Sequence, residues 1–263
     1  MKFKTFVAVI PLIFLMAQGC SFFRQKSGSK PLSGIAVCVD AGHGGQSIYE
    51  GTGIYTGGAK GVESGMWESD ANLKAALSLR DILSRAGAKV VMTRDKDTRV
   101  TGSTGTRDEE LKRRVEIAEE QGAHILVSLH HNYSPNPYDN GPSVYYYSKG
   151  NSHDKLLAEA IHSHLTGTMP GVDHGIHSKG FVILANTQIP SVIIEFGFMS
   201  NLEFDRILQD PLFAEREAEA VYNGILKFIS LYRSEVEAYV IDYYNPHKEP
   251  SPTVETRFRK KDK

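Results

Sequence analysis

Short apolar runs alternate with amphipathic stretches through the body of the chain, and this alternation restricts the possible architecture more than any other feature. Ile35-Ala36-Val37-Cys38-Val39 reads as a buried strand; Leu73, Leu77, Leu79, Ile82, Leu83 and Ala86 recur at helical spacing; Val90-Val91-Met92 reads as a strand again. Leu111, Val115 and Ala118 mark a second helix, and Ile125-Leu126-Val127-Ser128-Leu129 a third strand. Strands separated by helices pair in parallel, because the crossover returns the chain to the same end of the sheet. Further on, Ser143 to Tyr147 reads as a strand, Leu156, Leu157, Ala160, Ile161 and Leu165 as a helix, and Phe181 to Leu184 and Val192-Ile193-Ile194 as two more strands. A closing helix places Val221, Ile225, Ile229 and Tyr232 on one face. The expected fold is α/β: a single domain with a mixed, largely parallel sheet covered by helices on both faces.

The two ends differ in character from this body. Lys2 and Lys4 precede an apolar run from Phe6 to Ala17, long enough for the core of a signal peptide but short of the ~20 residues that span a bilayer. Residues 1–19 are therefore expected to direct export. The run ends in Met16-Ala17-Gln18-Gly19-Cys20, which resembles a bacterial lipoprotein cleavage box, although Leu is commonest where Ala17 stands and a small residue where Gln18 stands. That resemblance implies a membrane anchor through an acylated Cys20. Residues 20–33 turn to Ser, Lys, Gly and Gln, as a tether would, leaving 34–233 as the domain. The extension 234–263 is proline-containing and ends in Arg257, Arg259, Lys260, Lys261 and Lys263, a composition expected to be disordered at its end.

Charge excludes one large class of partner. With 30 Lys+Arg against 31 Asp+Glu, and no face that interleaves basic and aromatic residues, the chain offers no field to gather a nucleic acid. Its 2 cysteines cannot staple a small scaffold, and Cys20 and Cys38 are too far apart in unlike contexts to read as a zinc pair.

In an open α/β sheet, functional groups collect beyond the carboxyl ends of the strands. His43 follows the first strand, His130 ends the third and Glu195 ends the last, while Glu68 opens the first long helix and can look back at the same edge. Two imidazoles and a carboxylate can hold a catalytic zinc with a fourth position left to water. Hydrogen-bonded loop residues would give the same spacing, so residue types alone leave both readings open.

Four ordered motifs narrow the choice. They are Asp40-Ala41-Gly42-His43-Gly44-Gly45, Glu68-Ser69-Asp70-Ala71-Asn72-Leu73, Ser128-Leu129-His130-His131-Asn132, and Pro190 to Asn201 with Glu195-Phe196-Gly197-Phe198-Met199-Ser200-Asn201. Weaker matches fall at Met92-Thr93-Arg94, Leu111 to Ala118 and Asp173-His174-Gly175-Ile176. From Gly34 to Tyr232 the chain resembles the zinc-dependent N-acetylmuramoyl-L-alanine amidases of the type 3 class. The resemblance implies one zinc ion held by His43, Glu68 and His130, with Glu195 as the catalytic carboxylate, and peptidoglycan as the substrate. The spacing of Glu, Asp, Asn and Leu selects Glu68 over the nearby Glu63. His131 stands where the family often has alanine, and is either a residue that supports the ligands or touches substrate, or a partly exposed loop histidine. Ser128 and Asn132 are expected to fix the ligand loop by hydrogen bonds to backbone. His174 stands where the family usually has arginine, so contacts to substrate are expected to differ there.

Two other functions share these residues: a zinc peptidase acting on wall peptides, and a non-catalytic protein that binds peptidoglycan. The first cleaves different bonds; the second would be signalled by loss of a ligand or of Glu195, and all four residues are present. Some family members insert a helix over the zinc between the positions of His130 and Glu195, but here that interval is filled by ordinary elements. The gating segment is expected instead to be Gly44 to Trp67, rich in glycine, with Tyr49 and Tyr55 available to stack on a sugar.

Overall fold

A computed structural model describes residues 29–49 and 52–243, with side chains described through residue 238. The export segment, Cys20 and the basic tail lie outside the described residues. Six strands form one sheet: β1 (Ala36–Ala41), β2 (Lys89–Met92), β3 (Ile125–Asn132), β4 (Ser143–Tyr146), β5 (Ile176–Ser178) and β6 (Ser191–Phe198). Their order is β2-β1-β3-β6-β4-β5. The pairs β1–β2, β1–β3 and β3–β6 are parallel, β4 runs antiparallel to β6, and β5 is parallel to β4. The mixed, largely parallel sheet is therefore present as expected.

The period of two along each strand divides the core. Val37, Val39, Ala41, Ile125, Val127, Leu129, Val192, Ile194 and Phe196 face a larger cluster with helices α1 (Glu68–Arg85), α3 (Asp154–Leu165) and α6 (Phe213–Tyr243). Cys38, Leu126 and Ile193 face a smaller one with α2 (Arg107–Glu120) and α4 (Val182–Ala185). A short helix, α5 (Leu202–Ile207), follows β6. Helices thus cover both faces.

Three details differ from the sequence reading. Phe181 to Leu184 is not a strand: Val182–Ala185 forms the single turn α4, and the second strand of that region is Ile176–Ser178. A four-residue apolar run carries no period long enough to separate the two. Here Ile183 and Leu184 bury one side against α2 rather than pairing in the sheet. The packed domain also exceeds its expected bounds. Leu32 and Val236 are both fully buried in the larger core, and α6 continues past a non-helical Tyr232 to Tyr243.

Candidate active site

The functional groups gather at the carboxyl ends of β1, β3 and β6. His130 and Glu195 are register partners on adjacent parallel strands, so their side chains leave the same face of the sheet side by side. Glu68 enters from the first residue of α1, where its charge also suits the positive end of the helix. Glu68 Oε1 lies 3.2 Å from His43 Nε2 and 3.0 Å from His130 Nδ1. Ligand atoms of these three residues all fall within 4.8 Å of one another, the one such metal-capable group among the described residues. Glu63 takes no part, since its carboxylate is paired with Arg206 at 2.7 Å.

Close packing around these side chains explains the neighbouring glycines. A Cβ on Gly42 would lie 2.2 Å from the His130 ring, and one on Gly58 would lie 2.4 Å from Glu68 Oε2 and 2.8 Å from the His43 ring. His43 itself has φ 61°, a left-handed conformation that costs a non-glycine residue free energy and persists only where the surroundings enforce it. Two buried guanidinium groups do so. Arg94 donates to the carbonyls of Ala41 (2.8 Å) and Gly42 (3.0 Å), and Arg114 to those of Ala41 (2.8 Å) and His43 (2.7 Å). Three consecutive carbonyls are thereby fixed. Arg114 is balanced by Asp40 at 2.6 Å and Glu110 at 3.0 Å. Asp40 also accepts from Thr93 and Ser128, both at 2.6 Å. Burial alone would raise the Asp40 carboxyl, but Arg114 and these hydroxyls hold it below its ordinary value. Burial and the neighbouring Arg114 lower Arg94 to about 10.

Glu68 and Glu195 are driven in opposite directions. Burial opposes ionisation of Glu68, yet the imidazoles of His43 and His130 hold it well below the ordinary carboxylate range. Burial also raises Glu195, and the negative Glu68 pushes it further up, against a weaker pull from Lys179. Its Oε2 is sealed from solvent and has no hydrogen-bond partner. The groups open onto a cleft of about 470 Å³ whose walls include Tyr133, Arg107, Leu111, Phe181 and Ile183. A capping box, in which Thr106 and Glu109 satisfy each other's backbone, starts α2 beside this cleft.

The remaining sequence candidates separate. His131 is almost fully buried, which excludes both a substrate contact and a partly exposed loop histidine. Period-two alternation turns it away from His130 into the larger core, where its ring bonds Asn72 at 2.7 Å and Glu217 at 2.9 Å. Asn72 in turn donates to Gly42 O and to Glu68 Oε1. This chain supports the ligand cluster from behind. Asn132 Oδ1 accepts from Tyr133 N at 2.8 Å, as a loop-fixing residue would. Ser128 instead donates to the Asp40 carboxylate rather than to backbone. His174 is half-buried against Phe198 with Nε2 3.3 Å from Asn140 O, and it does not line the cleft. Tyr49 is 4% exposed beneath Arg99, so it cannot stack on a sugar.

The residues missed in the sequence are Asp40, Arg94, Glu110, Arg114 and Glu217. Arg114 was the most legible of them: it completes the helical spacing of Leu111, Val115 and Ala118, where a charge signals a buried partner.

Converging His, His and Glu beside a second, buried carboxylate at the strand ends suit the class of hydrolases. Residues 37–227 match the model of the N-acetylmuramoyl-L-alanine amidase family, and the chain belongs to that family. It is an enzyme that hydrolyses the amide bond between N-acetylmuramic acid and L-alanine in peptidoglycan. It is 30% identical over 213 residues to the germination-specific N-acetylmuramoyl-L-alanine amidase of Bacillus subtilis, covering 78% of this chain and 84% of that protein. Among solved structures it resembles the amidase AmiC2 of Nostoc punctiforme, with TM-score 0.63, 32% identity and coverage of 77% and 99% of the two chains. The catalytic domain of the amidase CwlV from Bacillus (Paenibacillus) polymyxa var. colistinus aligns with TM-score 0.64, 31% identity and coverage of 74% and 98%.

Proposed function

We propose that this hydrolysis depends on one zinc ion held by His43, Glu68 and His130, with Glu195 as the group that moves protons. The observation that carries the reading is the register of His130 with Glu195, together with the convergence of both imidazoles on one Glu68 oxygen. Two nitrogen donors and one ionised carboxylate oxygen, open on one side to a cleft, suit a catalytic zinc. When bound, the cation supplies a Lewis acid for the amide carbonyl and lowers the pKa of bound water to about 7.

Glu195 takes a proton from the attacking water as its oxygen adds to the carbonyl carbon. It then delivers that proton to the leaving nitrogen as the carbon–nitrogen bond breaks, freeing a carboxylic acid on the lactyl group and the amino terminus of the stem peptide. A single carboxylate lining the cleft can serve both transfers in turn. Arg94 and Arg114 hold the His43 loop in place throughout, and Asn72 orients Glu68.

Products separate the amidase from a peptidase on the same scaffold. Mass analysis of digested soluble wall fragments is expected to show intact stem peptides and peptide-free glycan; trimmed peptides still attached to glycan would overturn the assignment.

The substrate lies outside the cytoplasmic membrane, so the protein is exported. No helix among the described residues is long and apolar enough to cross a membrane. We further propose that Cys20 carries the anchor, on the basis of the Ala17-Gln18-Gly19-Cys20 sequence. Stable anchoring needs more than one acyl chain. Cys20→Ala is therefore expected to move the protein from the membrane fraction to the soluble one. Unchanged retention without lipid mass on the N-terminal peptide would refute the anchor.

A further inference from the structure

We propose that Tyr55 and Trp67 form a binding platform for a sugar ring of the glycan strand, next to the hydrolytic site. The inference rests on peptidoglycan being the substrate. The two rings are stacked with centroids 5.4 Å apart and planes 21° from parallel. Lys60 Nζ sits 4.9 Å from the Trp67 ring centroid, so the open aromatic face of the stack belongs to Tyr55, which is 52% exposed.

The platform is built rather than incidental. Antiparallel bridges pair Ile48 with Tyr55 and Lys60 with Trp67, fixing the backbone under both rings. Between them Thr56 is fully buried, and its backbone carbonyl accepts from Gly44 N at 3.1 Å. Pre-ordering two rings in this way lowers the entropy cost of binding.

Position connects the stack to the chemistry. Trp67 immediately precedes Glu68 in the chain, and its ring lies over Gly57, where a Cβ would meet it at 3.1 Å. The next residue, Gly58, packs on Glu68 and His43. Neither Tyr55 nor Trp67 lines the cleft between α2 and α4. The scissile amide joins a glycan to a peptide, and the two halves must leave the reacting bond in different directions. The cleft with Arg107, Leu111 and Phe181 provides one direction, and the platform the other.

The chemistry of the platform suits a pyranose better than a peptide. One face of such a ring presents C–H groups, apolar and weakly positive, which match the negative face of an aromatic ring. Ile48, the bridge partner of Tyr55, is 49% exposed and lies on the same side of the backbone as that ring.

Trp67 is the sole tryptophan of the chain, so its fluorescence reports on this place alone. The purified full-length protein is titrated with a tetramer of β-1,4-linked N-acetylglucosamine, which contains no lactyl amide. A saturable change in emission is expected. Tyr55→Ala should raise the half-saturation point about tenfold, whereas Tyr55→Phe, which keeps the ring, should stay within about twofold. On intact sacculi Tyr55→Ala should raise KM. Emission unmoved by the saccharide, or a Tyr55→Ala protein that titrates like the parent, would overturn the platform. Release of stem peptides by the same preparation tests the amidase reading independently, because an inactive protein that still titrates contradicts that reading and supports the platform.

Discussion

Replacing Glu195 by glutamine is expected to lower turnover by about 10²–10⁴-fold while leaving fold and metal content at parental values. Glutamine has nearly the volume of glutamate, so the packing of β6 against β3 should persist. The amide cannot accept the proton of the attacking water. Nor does Glu195 anchor anything that would loosen on substitution, since its Oε2 has no hydrogen-bond partner. Metal content, melting temperature and stem-peptide release measured on one preparation decide the matter. A Gln variant that retained full turnover would remove Glu195 from the chemistry.

Arg114→Met is expected to cost about 3–5 kcal/mol of stability, because truncating one member of a buried ion pair strands its partner. For a chain of this size that corresponds to a fall in Tm on the order of 10 °C. Arg114 and Asp40 are both almost fully buried, and nothing from solvent can replace the lost guanidinium. The same change releases the His43 carbonyl, so metal affinity should fall with stability. Combining it with Asp40→Asn removes the stranded charge and should recover part of the loss, a coupling that a double-mutant cycle measures. A single variant melting within about 2 °C of the parent would show that the network does not hold the site.

Much of the site was legible because its residues follow strand ends. His43, His130 and Glu195 each close an apolar run, and Glu68 opens a periodic helix, so topology alone brings them to one edge. What was hidden lies one shell deeper or depends on long-range contacts. Ser128 pairs with Asp40 across neighbouring strands, and Glu217 reaches His131 from a helix 86 residues away in sequence. No local pattern encodes such partners. Alternation along β3 did contain the fate of His131: if His130 faces the cleft, its neighbour must face the core. The turn Val182–Ala185 was misread because a short apolar segment can bury itself in either conformation, and packing on α2 decides. Within the long glycine-rich segment, composition could not distinguish Tyr49, sealed under Arg99, from the exposed Tyr55.

The dependence on zinc is tested most directly by removing the metal and restoring it. After treatment with o-phenanthroline and removal of the chelator, the protein should be metal-free and release no stem peptides from sacculi. Addition of one equivalent of zinc should restore release, and His130→Ala should take up no zinc under the same conditions. Undiminished release of stem peptides by a sample verified to contain no metal would contradict the account.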